Sequence, residues 1–260
     1  MKYPIGIQDF ESIINGGYVY VDKTALVHQL VTEGKIYFLS RPRRFGKSLL
    51  VSTLEAYFLG RKDLFKGLAI DELETEWVEH PVFHISFGGE NFIESGALES
   101  KITTALNKWE ELYGKSPNAI TFGGRFLYTL QAAHQKTGKR VVVLVDEYDK
   151  PLLDVLDTGY STKIEGQERL LEEHHRNILK GLYSVFKEAD ADLQFVLLTG
   201  VTKFSQVSVF SGFNQPEDIS MSRDFEALCG ITEEELYRYF AAPIEELAKE
   251  NNCSVNEMKL

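Results

Sequence analysis

Two groups of residues, about a hundred positions apart, have the types and spacing to handle a metal-bound phosphate chain. The first is Arg41-Pro42-Arg43-Arg44-Phe45-Gly46-Lys47-Ser48. It follows the apolar run Ile36, Tyr37, Phe38, Leu39 and precedes a helical pattern that begins at Leu49 and Leu50. Strand, basic loop ending in Gly-Lys-Ser, then helix is the order of a phosphate-binding P-loop, where N–H groups and the helix dipole face an anion. Gly46 would turn the backbone tightly beside the phosphates. Lys47 would reach the β- and γ-phosphates, and the Ser48 hydroxyl would ligate Mg²⁺. Arg43, Arg44, Phe45 and Leu49 complete the set expected around the nucleotide. The pattern G-x-x-x-x-G-K-[ST] departs at its first position, where this chain has Arg41. Alone, the stretch also reads as a solvated basic turn before a helix.

The second group is Asp146-Glu147, at the end of the run Val141-Val142-Val143-Leu144-Val145. Continuous apolar runs of this length are the mark of strands buried on both faces, and ligands sit at the carboxyl ends of such strands. Two acids placed there suit phosphoryl chemistry: Asp146 in the Mg²⁺ shell, Glu147 orienting or polarising the attacking water. A third buried-type run, Phe195-Val196-Leu197-Leu198, ends in Thr199, the nearest candidate for a group that senses the γ-phosphate; Thr202 and Lys203 are alternatives. Asp149 reads instead as an acid at a helix N-terminus, with Pro151 just beyond it.

The elements that must position these groups alternate. A short helix over Phe10, Ile13 and Ile14 is expected between Asp9 as N-cap and Gly16. An extended piece at Tyr18–Val21 and a helix over Leu26–Val31 follow. Ile5, Ile7 and Tyr20 are placed either around an adenine base or in ordinary core packing. After the loop, helical spacing runs from Leu49 to Phe58, and Leu64 to Ile70 is turn-rich. Val82–Phe87 alternates as a strand containing His84, expected as a packed histidine. Helices are expected at Leu98–Tyr113, Arg125–Lys136, and in one long piece from Gly166 to Ala189, with His174 and His175 on its surface. Asp218–Met221 reads as a last short strand, and Thr232 with Glu235 as a capping box opening a helix to Ala248. Alternating strands and helices imply an α/β fold with a mostly parallel sheet.

Composition bounds the partners. The chain has 260 residues, enough for one large core with a small appendage. A formal net charge of -11 argues against broad nucleic-acid binding, so no direct nucleic-acid contact is expected outside the local cluster Arg41, Arg43, Arg44, Lys47. Only Cys229 and Cys253 are present, so no disulfide framework is expected; with no apolar run of membrane-span length and no signal-type N-terminus, the expectation is a cytoplasmic protein without a membrane partner.

The residues PIGIQDFESI, GGYVYVDKT (Gly16 to Thr24), FLSRPRRFGKS (Phe38 to Ser48), VLVDEYDKPL (Val143 to Leu152), LTGVTKFSQVSVFSG (Leu198 to Gly212) and LCGITEEEL (Leu228 to Leu236) together resemble the AAA-ATPase-like domain family of prokaryotic P-loop proteins. Members commonly carry an RPRRFGKS-like loop in place of a first glycine. The resemblance implies an additional-strand (ASCE) P-loop core, with the sensor strand between the P-loop strand and the acidic strand. It implies an ATP site of Gly46, Lys47, Ser48, Asp146 and Glu147, with Thr199 as sensor, and ATP, ADP and Mg²⁺ as ligands. It also implies a division into a core of residues 1–228 and the start of a helical lid at 229–260, often followed by a C-terminal PD-(D/E)XK nuclease-like domain, with self-association among the expected partnerships.

The resulting expectation is a Mg-dependent ATPase driving a switch in attached or neighbouring domains, with Arg41, Arg43 or Arg44 adding positive charge in cis. The alternative is a non-hydrolysing, nucleotide-gated scaffold. Asp22 with Glu33-Gly34-Lys35 formally fits a nuclease pattern, and the same loop serves small-molecule kinases, but the Asp146-Glu147 pair favours water as the acceptor.

Overall fold

The computed structural model describes residues 2–164, 166–202 and 216–258. Strand β1 (Ile36–Ser40) leads into the basic loop and the helix Lys47–Phe58. The other strands are β2 (Val82–Ser86), β3 (Val141–Asp146), β4 (Ser161–Ile164), β5 (Gln167–Leu170), β6 (Leu193–Gly200) and β7 (Glu217–Asp218). Five of them form one sheet in the order β2-β3-β6-β1-β7, and every neighbouring pair is parallel. Strand β6 therefore lies between β1 and β3, as the resemblance implied.

The sheet is covered on both faces, which is why its central strands are continuous apolar runs that turn polar only towards their ends. Val141, Val143 and Val145 of β3 join a cluster with Trp109, Phe126 and Leu182. Val142 and Leu144 join the opposite cluster with Leu50, Leu54 and Phe58. Helices Ala97–Tyr113, Phe122–Thr137 and Leu171–Tyr183 supply the first face; Phe10–Asn15, Thr24–Glu33 and Lys47–Phe58 supply the second.

Several expectations are met at their ends. Asp9 caps the first helix by accepting from the Ser12 N–H at 2.7 Å. Thr232 and Glu235 form a reciprocal capping box. Others are corrected. The expected long helix from Gly166 to Ala189 is instead the antiparallel pair β4–β5, then Leu171–Tyr183, a break at Ser184, and Val185–Glu188. Gly166, at φ 81°, belongs to the turn of that hairpin, so the helix starts five residues later. His175 is fully buried and not on the surface; its Nδ1–H donates to the Pro151 carbonyl at 2.8 Å, and burial lowers its pKa. His174 pairs with Glu99 at 2.6 Å, and His84 pairs with Glu55 at 2.7 Å. The helix expected from Thr232 to Ala248 breaks at Phe240 into Glu233–Tyr239 and Ala241–Glu250. Pro243 explains the break, because its ring would clash with the carbonyl four residues earlier. The helix expected from Arg125 begins at Phe122, capped by Thr121.

Two helices of the first face are joined by a buried ion pair. Arg125 donates to both oxygens of Glu110, at 2.7 and 2.8 Å, and to Asn107 at 2.8 Å. The guanidinium holds the Glu110 carboxyl below the usual glutamate range. Arg125→Ala leaves that carboxylate buried and unpaired, and should cost about 3 kcal/mol in urea unfolding at pH 7. Because the folded pKa is depressed, the pair's contribution is complete above the ordinary glutamate pKa and is lost as pH falls through the folded value. The gap in urea midpoint between wild type and Arg125→Ala should therefore narrow in acid; a gap independent of pH would contradict the pairing.

Candidate nucleotide site

The basic loop leaves the sheet at the carboxyl end of β1. Arg41 N–H still donates to the Gly200 carbonyl of β6, at 3.2 Å, so the chain is extended there. The left-handed turns come later, at Arg44 (φ 66°) and Gly46 (φ 85°), and helix Lys47–Phe58 starts at once. Among the described residues, no backbone N–H from Arg43 to Leu49 has an acceptor within the chain. A turn that alternates left-handed residues before a helix N-terminus makes a concave array of donors suited to phosphate oxygens. The Lys47 amine curls under this loop and donates to the carbonyls of Arg41 (2.8 Å) and Pro42 (3.0 Å). Burial lowers its pKa, opposed by Asp146 and the acids beside it.

The acidic strand end meets the loop directly. Ser48 Oγ donates to Asp146 Oδ2 at 2.7 Å, and Thr199 Oγ1 donates to Asp146 Oδ1 at 2.5 Å. Asp146 and Thr199 are buried, and Lys47 is only 7% exposed. Glu147 comes next in a left-handed conformation (φ 55°), which turns its half-buried carboxyl towards Gly88. Burial, then the Asp146 charge, push its pKa up, while Lys150, Lys47 and Arg43 pull it down. The pairing of a hydroxyl with a carboxylate oxygen fits Mg²⁺, which is held by one or two protein oxygens together with phosphate and water. No set of three or more His, Cys, Asp or Glu among the described residues offers an all-protein metal cage.

Beside the loop, away from the acids, lies a cavity of about 310 Å³, at the small end of ligand pockets (about 300–1,000 Å³). Its walls include Ile7 and Tyr20 from the N-terminal segment, Arg44 and Gly46 from the loop, and Gly230 and Phe240 from the C-terminal segment. Ile7 and Tyr20 line this cavity, whereas Ile5 is 92% exposed and does not. The two segments are tied across this cavity. Lys23 pairs with Glu235, Tyr3 stacks on Phe240 with ring centroids 5.3 Å apart, and the Tyr239 hydroxyl accepts from Asp22 N–H at 3.3 Å. Gly230 N–H donates to the Phe45 carbonyl at 2.9 Å, so the C-terminal segment grips the loop itself.

A family model described as predicted AAA-ATPase matches residues 4–210. The chain belongs to the AAA-ATPase-like family. It is also 46% identical over 242 residues to a protein of Azotobacter chroococcum mcd 1 called "Uncharacterized protein in vnfD 5'region", covering 92% of this chain and 45% of that relative. The chain thus spans about half the length of the curated relative it matches. No solved structure matches it. Among the described residues, no helix is long and apolar enough to cross a membrane.

In this AAA-ATPase-like chain the loop residues Arg43, Arg44, Phe45, Gly46, Lys47, Ser48 and Leu49 share one end of the sheet with Asp146, Glu147 and Thr199. Arg41 is separated from them in role: its guanidinium donates to the carbonyls of Ser40 and Ser220. Of the two described sensor candidates, Thr199 reaches Asp146 and Thr202 bonds Asp149; Lys203 lies outside the described residues. The nuclease-like set does not assemble. Asp22 accepts from Thr24 and from the Ala69 N–H, while Lys35 is bound to Asp190.

Residues that sequence reasoning placed elsewhere also belong to the site's frame. Asp149 is the N-cap of helix Lys150–Leu153 but makes no side-chain cap bond there. Its Oδ2 accepts instead from Val201 N–H (2.9 Å), Thr202 N–H (2.7 Å) and the Thr202 hydroxyl (2.6 Å). Tyr148 N–H donates to the Thr199 carbonyl at 2.9 Å, and its buried ring covers Gly200. The acids' own strand end thus grips the end of β6. The alternation D-x-x-D after a buried strand was the available signal; nothing local in sequence said which loop Asp149 would hold. A Cβ at Gly200 would lie 2.6 Å from Tyr148 Cδ1 and 2.8 Å from Asp149 Oδ1. Gly200→Ala should therefore lower stability by about 1–3 kcal/mol, through overpacking against a ring with no room to retreat. Unchanged urea or thermal midpoints would refute this close approach.

Proposed function

We propose that this chain binds ATP with Mg²⁺ and hydrolyses it, and that turnover switches attached or partner domains. The observation that carries the reading is the convergence of the Ser48 and Thr199 hydroxyls on Asp146, beside a loop in which, among the described residues, the backbone N–H groups from Arg43 to Leu49 have no acceptor. The loop amides and Lys47 would hold the β- and γ-phosphates, Lys47 exchanging its two loop carbonyls for phosphate oxygens. Ser48 and Asp146 would hold Mg²⁺, which when bound supplies charge that neutralises phosphate oxygens.

Glu147 is suited to act as the base. Burial and the neighbouring Asp146 charge raise its pKa, which strengthens it as a proton acceptor, and its left-handed backbone aims the carboxyl across the strand end. It would orient the attacking water and accept its proton. Thr199, fixed on Asp146, would hold that carboxylate's orientation and report on the γ-phosphate. The base would enter the cavity between Tyr20 and Phe240.

On this reading residues 1–228 are the catalytic core and 229–260 begin a lid that closes on the base. Lys23–Glu235 and Tyr3–Phe240 are the contacts through which closure would respond to nucleotide. The effector is placed in parts of such proteins outside this chain, with the C-terminal nuclease-like domain as the expected class.

Steady-state phosphate release and titration with a fluorescent ATP analogue test the proposal together. Lys47→Ala should lose binding at least tenfold, and Glu147→Gln should retain binding while turnover falls about 100-fold or more. Equal turnover in all three proteins removes the catalytic assignment. The lid contact has its own readout. Lys23→Met and Glu235→Gln should each weaken ATP binding several-fold, and the double variant should be no weaker than the worse single one. Additive losses would show that the two side chains do not act as a pair.

A further inference from the structure

The pairing of β3 with β6 runs as far as Val145 opposite Leu198. Asp146 and Thr199, whose contact carries the site, are the next residue on each strand. On its other side β6 stays paired with β1 one step further, through Leu39 opposite Thr199 and Ser40 opposite Gly200. The end of β6 is thus fixed to the strand that feeds the loop. Towards the acids, the ladder has already stopped.

The turn after Asp146 closes that gap. Glu147 is left-handed at φ 55°, and the two residues after it return to β6. Tyr148 N–H donates to the Thr199 carbonyl at 2.9 Å. Asp149, 1% exposed, accepts on Oδ2 from Val201 N–H (2.9 Å), Thr202 N–H (2.7 Å) and the Thr202 hydroxyl (2.6 Å). Two aspartates three positions apart therefore meet two threonines three positions apart: Asp146 takes the Thr199 hydroxyl, and Asp149 takes that of Thr202. The two pairs are used differently. Asp146 receives one hydroxyl on each oxygen, whereas Asp149 gathers three donors on a single oxygen. Lys150, next along the chain, bonds Asp154 instead. A carboxylate holds such donors more strongly than a neutral amide would, because the bonds are charge-assisted.

We infer that Asp149 is a positioning residue for the nucleotide site: by holding Val201 and Thr202 it keeps the Thr199 hydroxyl on Asp146 and the Glu147 carboxyl beside Gly88. The inference rests on the ATPase reading above and adds to it the group that sets the geometry of both acids. Asp149 acts through Thr199 and through the turn at Glu147, with no contact of its own to the nucleotide. Without this clamp the end of β6 and Asp146 are free to separate, and the carboxylate assigned to Mg²⁺ loses one of the two hydroxyls that orient it. Partners that stand behind a metal ligand in this way are worth roughly 10–100-fold in metal affinity or activity.

The competing role is plain stabilisation, in which the same bonds tie down a turn and do nothing for the acids. It lowers the melting midpoint and leaves Mg²⁺ dependence and turnover of the folded protein unchanged. The test uses the full chain with Asp149→Asn, Thr202→Val and Thr202→Ser. A fluorescent ADP analogue is titrated without Mg²⁺ and over a range of Mg²⁺, beside steady-state phosphate release and thermal unfolding. Asp149→Asn should bind the analogue without Mg²⁺ within about threefold of wild type, while half-saturating Mg²⁺ rises and kcat falls about tenfold or more. Thr202→Val removes one of the three donors and should shift both quantities the same way by less. Thr202→Ser keeps the hydroxyl and should restore both to within about threefold of wild type.

Folded variants with wild-type Mg²⁺ dependence and kcat overturn the inference and leave the ATPase reading standing. Equal weakening of analogue binding with and without Mg²⁺ also overturns it, in favour of a general structural role. If Asp149→Asn does not fold, the contrast between Thr202→Val and Thr202→Ser decides. A wild type that binds the Mg²⁺-dependent analogue without turning over ATP refutes hydrolysis alone, and the Mg²⁺ dependence of the variants then upholds or overturns the inference by itself. A folded wild type that binds no nucleotide refutes the ATPase reading and this inference with it.

Discussion

The Asp146 carboxylate is the junction on which the arrangement depends. One oxygen accepts from Ser48, at the start of the helix that follows β1; the other accepts from Thr199, near the end of β6. Three segments distant in sequence are thereby fixed at one end of the sheet. A buried carboxylate is tolerable only if its lone pairs are met, and here two hydroxyls meet them without neutralising its charge. Both partners are neutral, so neither pairs the carboxylate with a charge. An Arg or Lys donor in either place would have closed the site electrostatically.

The parallel sheet makes that junction possible. Since β1, β3 and β6 run the same way, their carboxyl ends emerge together, and every loop with chemistry leaves from the same edge. The price is paid in apolar sequence: the central strands must bury both faces. Tyr148 and Asp149 extend the same logic one step beyond the acids, since they hold the end of β6 by a ring packed over Gly200 and by three hydrogen bonds to one carboxylate oxygen. The backbone strain at Glu147 sits between these two fixed points, which is where a left-handed non-glycine residue can be held.

The sequence made this end of the molecule legible because its signals are local. A continuous apolar run ending in acids, and Gly-Lys-Ser before a helical pattern, each carry their geometry within a dozen residues. Strand β3 occupies Val141–Asp146, the stretch read from those residues. What was not legible depended on contacts across the chain or on competing periods. The expected helix takes in residues 167–170, whose charges and Leu170 fit its pattern but which pair as β5 across the Gly166 turn. His175 looked like a surface residue because its neighbours are Glu173, His174 and Arg176, yet it faces Pro151 and is buried. The helix break at Phe240 was readable from Pro243. The cavity beside the loop was only half readable, because Ile7 and Tyr20 meet Gly230 and Phe240 from more than two hundred residues away.

Arg41 shows why a motif can lose a glycine and keep its shape. A glycine at the first position of such a loop is needed where the backbone turns left-handed or approaches a ligand too closely for a Cβ. Here the first condition does not hold, since position 41 is not left-handed. Its N–H continues the ladder to β6 through Gly200, and the following Pro42 favours an extended conformation for it. The left-handed turns sit at Arg44 and Gly46, nearer the helix. With the turn displaced, position 41 is free to carry a long side chain, and that side chain reaches the Ser220 carbonyl beyond β7. The exchange also changes what the loop is anchored to. A glycine would leave the β1 exit held by its own turn; arginine ties it to the segment that leads to Cys229 and Gly230, the same segment whose N–H holds the Phe45 carbonyl. Both ends of the loop are thus fastened to the segment that walls the neighbouring cavity, so a displacement of that wall would pull directly on the loop.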